Sequence, residues 1–302
     1  MTQGVEAVEE APAKVNLHLE VLGREEGSGF HFIETVFQAL ELSDQLEFQL
    51  RPDDSVMLEG HGEFSDRMGP AENNLVVQAA RRFRAAVAET SGTPSPGVTI
   101  RLTKRIPTEA GLGGGSSDAA ATLRGLNRLL GEPLGGRALL AIGAELGSDV
   151  PFFLSESERS LAWGRGDRLL PLPSLPAREV ILALPVPGVS TPWAYGMLAG
   201  DREEAGWRRA PPSLCRSHAA RDWKVVAAAA RNDFEGVLFP QRPDLQRLKT
   251  ALAAVGGEPA LLSGTGAAVF GVFAGTEAAD QAETVLRRLI SQGRVLRTRT
   301  RT

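Results

Sequence analysis

The stretch PTEAGLGGGSSDAA, residues 107–120, gathers four glycines and an alanine ahead of two serines and an aspartate, and leads into a helical pattern. Small residues running into a helix N-terminus present unpaired backbone N–H groups beside the positive end of the helix dipole, which makes an anion site. Gly113, Gly114 and Gly115 let the backbone approach phosphate oxygens, and Ser116 and Ser117 add hydroxyls within reach of those oxygens or of a magnesium ion that they carry. On this reading a side chain at Gly114 would occupy the phosphate approach. The stretch lacks the lysine that a P-loop places after its last glycine, and it has serine where the dinucleotide pattern needs a third glycine. Composition leaves a second reading open, a turn packed closely against a neighbouring helix.

Elements must hold this loop in place. Alternation from Lys14 to Val21 predicts a half-buried strand, with Val15, Leu17, Leu19 and Val21 inward and Lys14, Asn16, His18 and Glu20 on the polar side. Further strands are expected at 45–50 and 97–102, with a helix over 74–89 between them. The helix after the glycines is expected from about Ser117 to Leu130, closed by Gly131. A second helix near 137–146 leads to GSDVPFFL, and the proline-rich run LLPLPSLP (169–176) suggests a domain boundary. Beyond it the pattern predicts a strand at 180–187, a polar segment over 200–224 and a helix carrying Leu245, Leu248, Leu252 and Val255. Two strands around a glycine turn in 259–273 follow, then a helix over 276–291 and a last stretch that alternates like an edge strand or frays as a tail. That order fits an antiparallel sheet with helices on one face, the split βαβ type.

With 302 residues, 42% of them hydrophobic, the chain is long enough for about two domains. Its 33 basic and 37 acidic residues, net −4, and 6% aromatics argue against a nucleic-acid-binding surface and favour small-molecule partners. The single cysteine, Cys215, rules out an intramolecular disulfide and a cysteine-built metal site. The acidic N-terminus has no leader-like pattern and no long apolar run occurs, so the expected placement is cytoplasmic, without a membrane partner.

The segment KRIPTEAGLGGGSSDAA (104–120) resembles the phosphate loop of the GHMP small-molecule kinases, the superfamily of galactokinase, homoserine kinase, mevalonate kinase and phosphomevalonate kinase. APAKVNLHLEVLGR (11–24), GFHFIETVFQALELSDQL (29–46), GSDVPFF (147–153) and SGTGAAVFGVF (263–273) narrow the likeness to the 4-diphosphocytidyl-2-C-methyl-D-erythritol kinases of non-mevalonate isoprenoid biosynthesis. The resemblance implies an α+β, two-domain GHMP kinase fold. Its N-terminal domain (1–168) would be like domain 2 of ribosomal protein S5, and its C-terminal domain (169–302) a ferredoxin-like split βαβ.

It also implies transfer of the ATP γ-phosphate to the substrate's 2-hydroxyl. Lys14 and Asp149 would be the catalytic pair, with Asp149 accepting the hydroxyl proton and Lys14 keeping it ionised. Without the likeness, Asp149 reads equally well as a helix cap. ATP is assigned to Pro107, Thr108, Glu109, Ala110, Gly111, Leu112, Gly113, Gly114, Gly115, Ser116 and Ser117, with magnesium carried by the nucleotide and no protein metal cage.

A cytidyl-bearing small molecule is assigned to Asn16, Phe30, His31 and Tyr195, with Trp193 competing for the role of Tyr195. Phe30 departs from the family pattern, in which a tyrosine is usual before the histidine. The SGTGA turn (263–267) would lie near the phosphates, although by itself it reads as a hairpin turn. His18 has no metal-ligand spacing and reads as solvated. Another kinase of the superfamily, or a nucleotide-binding module without catalysis, are the alternative functions.

Overall fold

The computed structural model describes residues 7–25, 27, 30–205 and 220–302. Cys215 and most of the polar segment expected over 200–224 lie outside them. The chain divides into two compact units that interleave along the sequence. One takes Met1–Ala13, Leu42–Thr108 and Gly113–Glu156, and the other Lys14–Glu41, Glu109–Leu112 and Ser157–Thr302.

In the first unit, the distal half of β2 (His31–Arg51) pairs antiparallel with β4 (Gly97–Thr103), Phe48 opposite Ile100, and β4 pairs parallel with β3 (Val56–His61). Helix α1 (Leu75–Ser91) begins where Asn74 accepts from the Val76 N–H at 2.9 Å and ends at Gly92, left-handed at φ 70°. Helix α2 (Gly114–Leu129) packs on α1 and on the short α4 (Val150–Leu154), with α3 (Gly136–Leu146) alongside. α2 starts earlier than its sequence pattern suggests. Gly114 and Gly115 read as loop by propensity but complete the first helical turn.

Packing of α2 on the strands is close at Gly125, where an added Cβ would lie 2.4 Å from Cε2 of the fully buried Phe48. Gly125→Ala is expected to cost about 1–3 kcal/mol through overpacking, outweighing the ~1 kcal/mol helix-propensity gain. A lower urea midpoint would report it.

The second unit contains the remainder of β1 (Ala7–Arg24), the proximal half of β2, the hairpin of β5 (Arg159–Gly164) and β6 (Arg168–Pro171), and a four-stranded antiparallel sheet. That sheet runs β11 (Gly293–Arg299), β7 (Glu179–Pro185), β10 (Val269–Phe273), β9 (Ala260–Leu262). In chain order the strands take positions two, four, three and one, the split-βαβ arrangement expected. Helix α5 (Thr191–Ala205) precedes the short α6 (Trp223–Ala228), β8 (Arg231–Asn232) and the short α7 (Phe234–Leu238). α8 (Pro243–Ala254) and α9 (Thr276–Leu289) pack against each other and on β10. Residues 200–205, expected in the polar segment, belong to α5. Among the described residues, no helix is long and apolar enough to cross a membrane.

The alternation in β1 gives a wrong estimate of burial. Lys14, Asn16, His18 and Glu20 are 3, 2, 2 and 7% exposed, so both faces are covered. β8 pairs parallel with β1, His18 Nδ1 is 2.9 Å from the Ala229 carbonyl, and Arg231 reaches Glu20 at 2.7 Å. Burial holds the His18 pKa below its ordinary value. His18 is therefore a buried structural residue rather than a solvated one, because a polar pattern reports polarity and not exposure.

Candidate active site

In the second unit, Lys14 Nζ donates to Asn16 Oδ1 at 2.8 Å, Asn16 Nδ2 to Thr35 Oγ1 at 2.8 Å, and Thr35 Oγ1 to the His18 carbonyl at 2.6 Å. Every donor in this chain points the same way, so the Asn16 amide orientation is set by its partners. The Lys14 ammonium also lies 5.1 Å from the centre of the Phe37 ring. Sequence reasoning missed Thr35 and Phe37. Their signal was alternation along β2, which puts both on one strand face.

The middle of the glycine segment belongs to the same unit. Leu112 O accepts from the Lys14 N–H at 2.9 Å, Ala110 O from Ala268 N–H at 3.2 Å, and Gly111 O from the Ser263 hydroxyl at 2.9 Å. The SGTGA turn is thus a dock for the glycine segment as well as a link between β9 and β10. Glu109 and Gly111 are left-handed, at φ 55° and 75°.

His31 and Tyr195 stack, ring centres 4.7 Å apart and planes at 28°, and Tyr195 meets Phe234 edge-on at 4.9 Å. Burial, with a smaller contribution from the Arg24 charge, lowers the His31 pKa. Phe30 is half exposed, with the Arg165 guanidinium 4.3 Å from its ring centre. Trp193 is 43% exposed, so Tyr195 is the residue brought to His31.

In the first unit, α2 begins at Gly113, left-handed at φ 71°, without a side-chain cap. A glycine at that position has no side chain with which to cap the first-turn N–H groups, which align with the helix dipole. The Ser117 hydroxyl is buried without a hydrogen-bond partner among the described residues. Gly114 faces inward rather than toward an approaching ligand: a Cβ there would meet Ile106 Cγ2 at 2.9 Å and Lys104 Nζ at 3.1 Å. Its expected role as a clear path for phosphate gives way to one in packing.

Asp149 occupies the N-cap position of α4, yet its side chain makes no cap hydrogen bond, which leaves the cap reading without its defining contact. Its turn lies beside the start of α2, since a Cβ at Gly147 would come 3.8 Å from Ser116 Oγ. Among the described residues, no group of three or more His, Cys, Asp or Glu is arranged to hold a metal ion.

Known proteins resemble this chain along most of its length. The GHMP kinases N terminal domain model matches residues 74–157, and the GHMP kinases C terminal model matches 213–292. A 4-diphosphocytidyl-2-C-methyl-D-erythritol kinase of Rhizobium johnstonii is 40% identical over 92% of this chain and 88% of its own length. The enzyme of that name from Solibacter usitatus is 40% identical over 87% of this chain and 80% of its own.

A crystal structure of 4-(cytidine 5'-diphospho)-2C-methyl-D-erythritol kinase superposes with a TM-score of 0.75 at 33% identity, covering 98% of this chain and 99% of that one. A homoserine kinase from Cytophaga hutchinsonii, TM-score 0.73 at 20% identity over 100% of this chain and 97% of its own, shares the fold. With ATP as the co-substrate common to such kinases, and the glycine segment, the Lys14 strand and the split-βαβ sheet all present, the chain belongs to the 4-diphosphocytidyl-2-C-methyl-D-erythritol kinase family of GHMP kinases.

Proposed function

We propose that the chain transfers the γ-phosphate of ATP to the 2-hydroxyl of 4-diphosphocytidyl-2-C-methyl-D-erythritol, a step toward isoprenoid precursors outside the mevalonate route. The observation that carries this reading is the stacking of His31 on Tyr195, two residues from distant stretches that the family resemblance assigns to the cytidyl group. Asp149 accepts the hydroxyl proton, and Lys14, fixed in direction by Asn16 and Thr35, meets the charge on the transferred group.

Phosphates bind along Pro107 to Ser117, with the first-turn N–H groups of α2 as donors. Magnesium enters with the nucleotide, and the buried, unpartnered Ser117 hydroxyl is suited to its coordination sphere or to a phosphate oxygen. Asn16 and Phe30 border the substrate, and Phe30 keeps a stacking face while lacking a phenol. We also place the functional boundary between 1–168 and 169–302, in keeping with family models that match on either side of it.

The test is an ADP-release assay with magnesium-ATP, offering the cytidyl substrate beside mevalonate, homoserine and galactose. Turnover with the cytidyl substrate alone is expected; turnover with another of the alcohols would discard the substrate assignment. His31→Ala is expected to raise KM for the cytidyl substrate by about ten-fold, the loss of one or two buried hydrogen bonds, and to leave KM for ATP unchanged. In the wild type, a neutral imidazole offers one donor and one acceptor, and its lowered pKa keeps it neutral at pH 7. KM for the cytidyl substrate should accordingly be flat near neutrality and rise only as acid protonates His31. A rise in KM for ATP instead would place His31 in the wrong pocket.

A further inference from the structure

Lys104 begins the chain leaving β4, and its buried ammonium lies between two buried carboxylates of the first unit. It donates to Asp118 Oδ2 at 2.6 Å and to Asp44. Asp44, 0% exposed, also accepts from the backbone N–H groups of Arg105 and Ile106, the latter at 2.8 Å. One carboxylate therefore grips the chain entering the glycine segment, and the other belongs to the first turns of α2 that follow it. The ammonium that joins them sits under the start of that helix, 3.1 Å from where a Gly114 Cβ would be.

A buried triad of this kind is an expensive way to gain stability, because desolvating three charges offsets most of their attraction. Burial pushes the Asp118 carboxyl up to about 8, against the pull of Lys104. For Lys104, burial opposes the charge, but the fields of Asp118 and Asp44 outweigh it and raise the pKa. Raised in this way, the Asp118 carboxyl puts less negative charge beneath a helix end that is to receive phosphates.

We propose that Lys104, Asp44 and Asp118 are positioning residues that fix the entering chain against the first turn of α2 and thereby set the affinity for the nucleoside triphosphate. This rests on the reading that α2 receives the ATP phosphates. The role is indirect, since it works by holding backbone donors where the phosphates need them.

Asp44→Asn and Asp118→Asn test it, because each leaves Lys104 paired one-to-one with the other carboxylate. Calorimetric titration would compare magnesium-ATP, AMP and the cytidyl substrate, alongside thermal melting. The expected result is an ATP Kd raised about ten-fold or more in each variant, the cost of one charge-assisted tether, with a smaller change for AMP and none for the cytidyl substrate. Unchanged ATP affinity in both variants would overturn the proposal, as would an equal loss for all ligands that tracks a lower Tm. Should either variant fail to fold, Lys104→Arg keeps a cation between the same two carboxyl groups and alters the geometry, and the same ATP-selective loss is expected. A wild-type chain that binds no ATP would instead sink the phosphate-site reading, which keeps the two failures distinct.

Discussion

Replacing Asp149 with asparagine is expected to lower kcat by at least about 100-fold, the usual worth of a positioned general base, while ATP affinity stays at the wild-type level. The substitution is nearly isosteric, and asparagine is as good an N-cap as aspartate. Since Asp149 makes no cap hydrogen bond in α4, the start of that helix should not suffer. The variant keeps the α2 donors and the Ser116 neighbourhood, so the nucleotide still finds its site. What is removed is the carboxylate proposed to accept the hydroxyl proton. A kcat within a few-fold of wild type would take the base role from Asp149 and leave its turn as a purely structural link between α3 and α4.

The second large effect is expected at Gly111, not at the glycines of the helix start. Its φ of 75° costs a non-glycine residue about 1–2 kcal/mol. Worse, a Cβ would sit 2.1 Å from the Ser263 carbonyl oxygen, a backbone atom that cannot swing aside. Gly111→Ala must therefore lift the segment off the Ser263 and Ala268 contacts and loosen its bond to Lys14. Turnover is expected to fall by about 100-fold or more, the scale of a misplacement near 1 Å in a catalytic constellation, with a lower Tm. Gly115→Ala is the contrast, because its nearest foreign atom is Leu75 Cδ1 at 3.7 Å, and alanine in a helix should hold or raise the Tm. Equal melting temperatures for Gly111→Ala and wild type would contradict the docked geometry.

These two positions also mark where sequence reading succeeds and where it stops. The glycine segment is legible because so much backbone freedom in one place has few uses, and the helix after it follows from periodicity. Its internal division of labour is not legible. Gly111 meets a carbonyl from residue 263, and Gly114 meets Lys104, so what each glycine avoids is decided by tertiary neighbours. Lys14 and Asn16 stand out through their motif, yet Thr35 looks like any strand threonine until β2 is laid beside β1. Asp44, in the run ELSDQ, has the pattern of a surface charge, and only the fold reveals that it is wholly buried.

The arginines of the last strand, without an evident purpose in sequence, gain one from their place in the sheet. β11 is one edge of the four-stranded sheet, and there Arg297 pairs with Glu179 at 2.8 Å and with Asp280, while Arg299 reaches Glu179 at 3.3 Å. At the other edge β9 is only Ala260–Leu262, and its Leu262 N–H and carbonyl are taken by Glu235 at 2.9 Å and Asn232 at 2.8 Å. A margin of ion-paired arginines on one side and a short, side-chain-sealed margin on the other disfavour the pairing of an incoming strand. The sheet is thereby protected against runaway growth into fibrils, a safeguard written into the same residues that finish the fold.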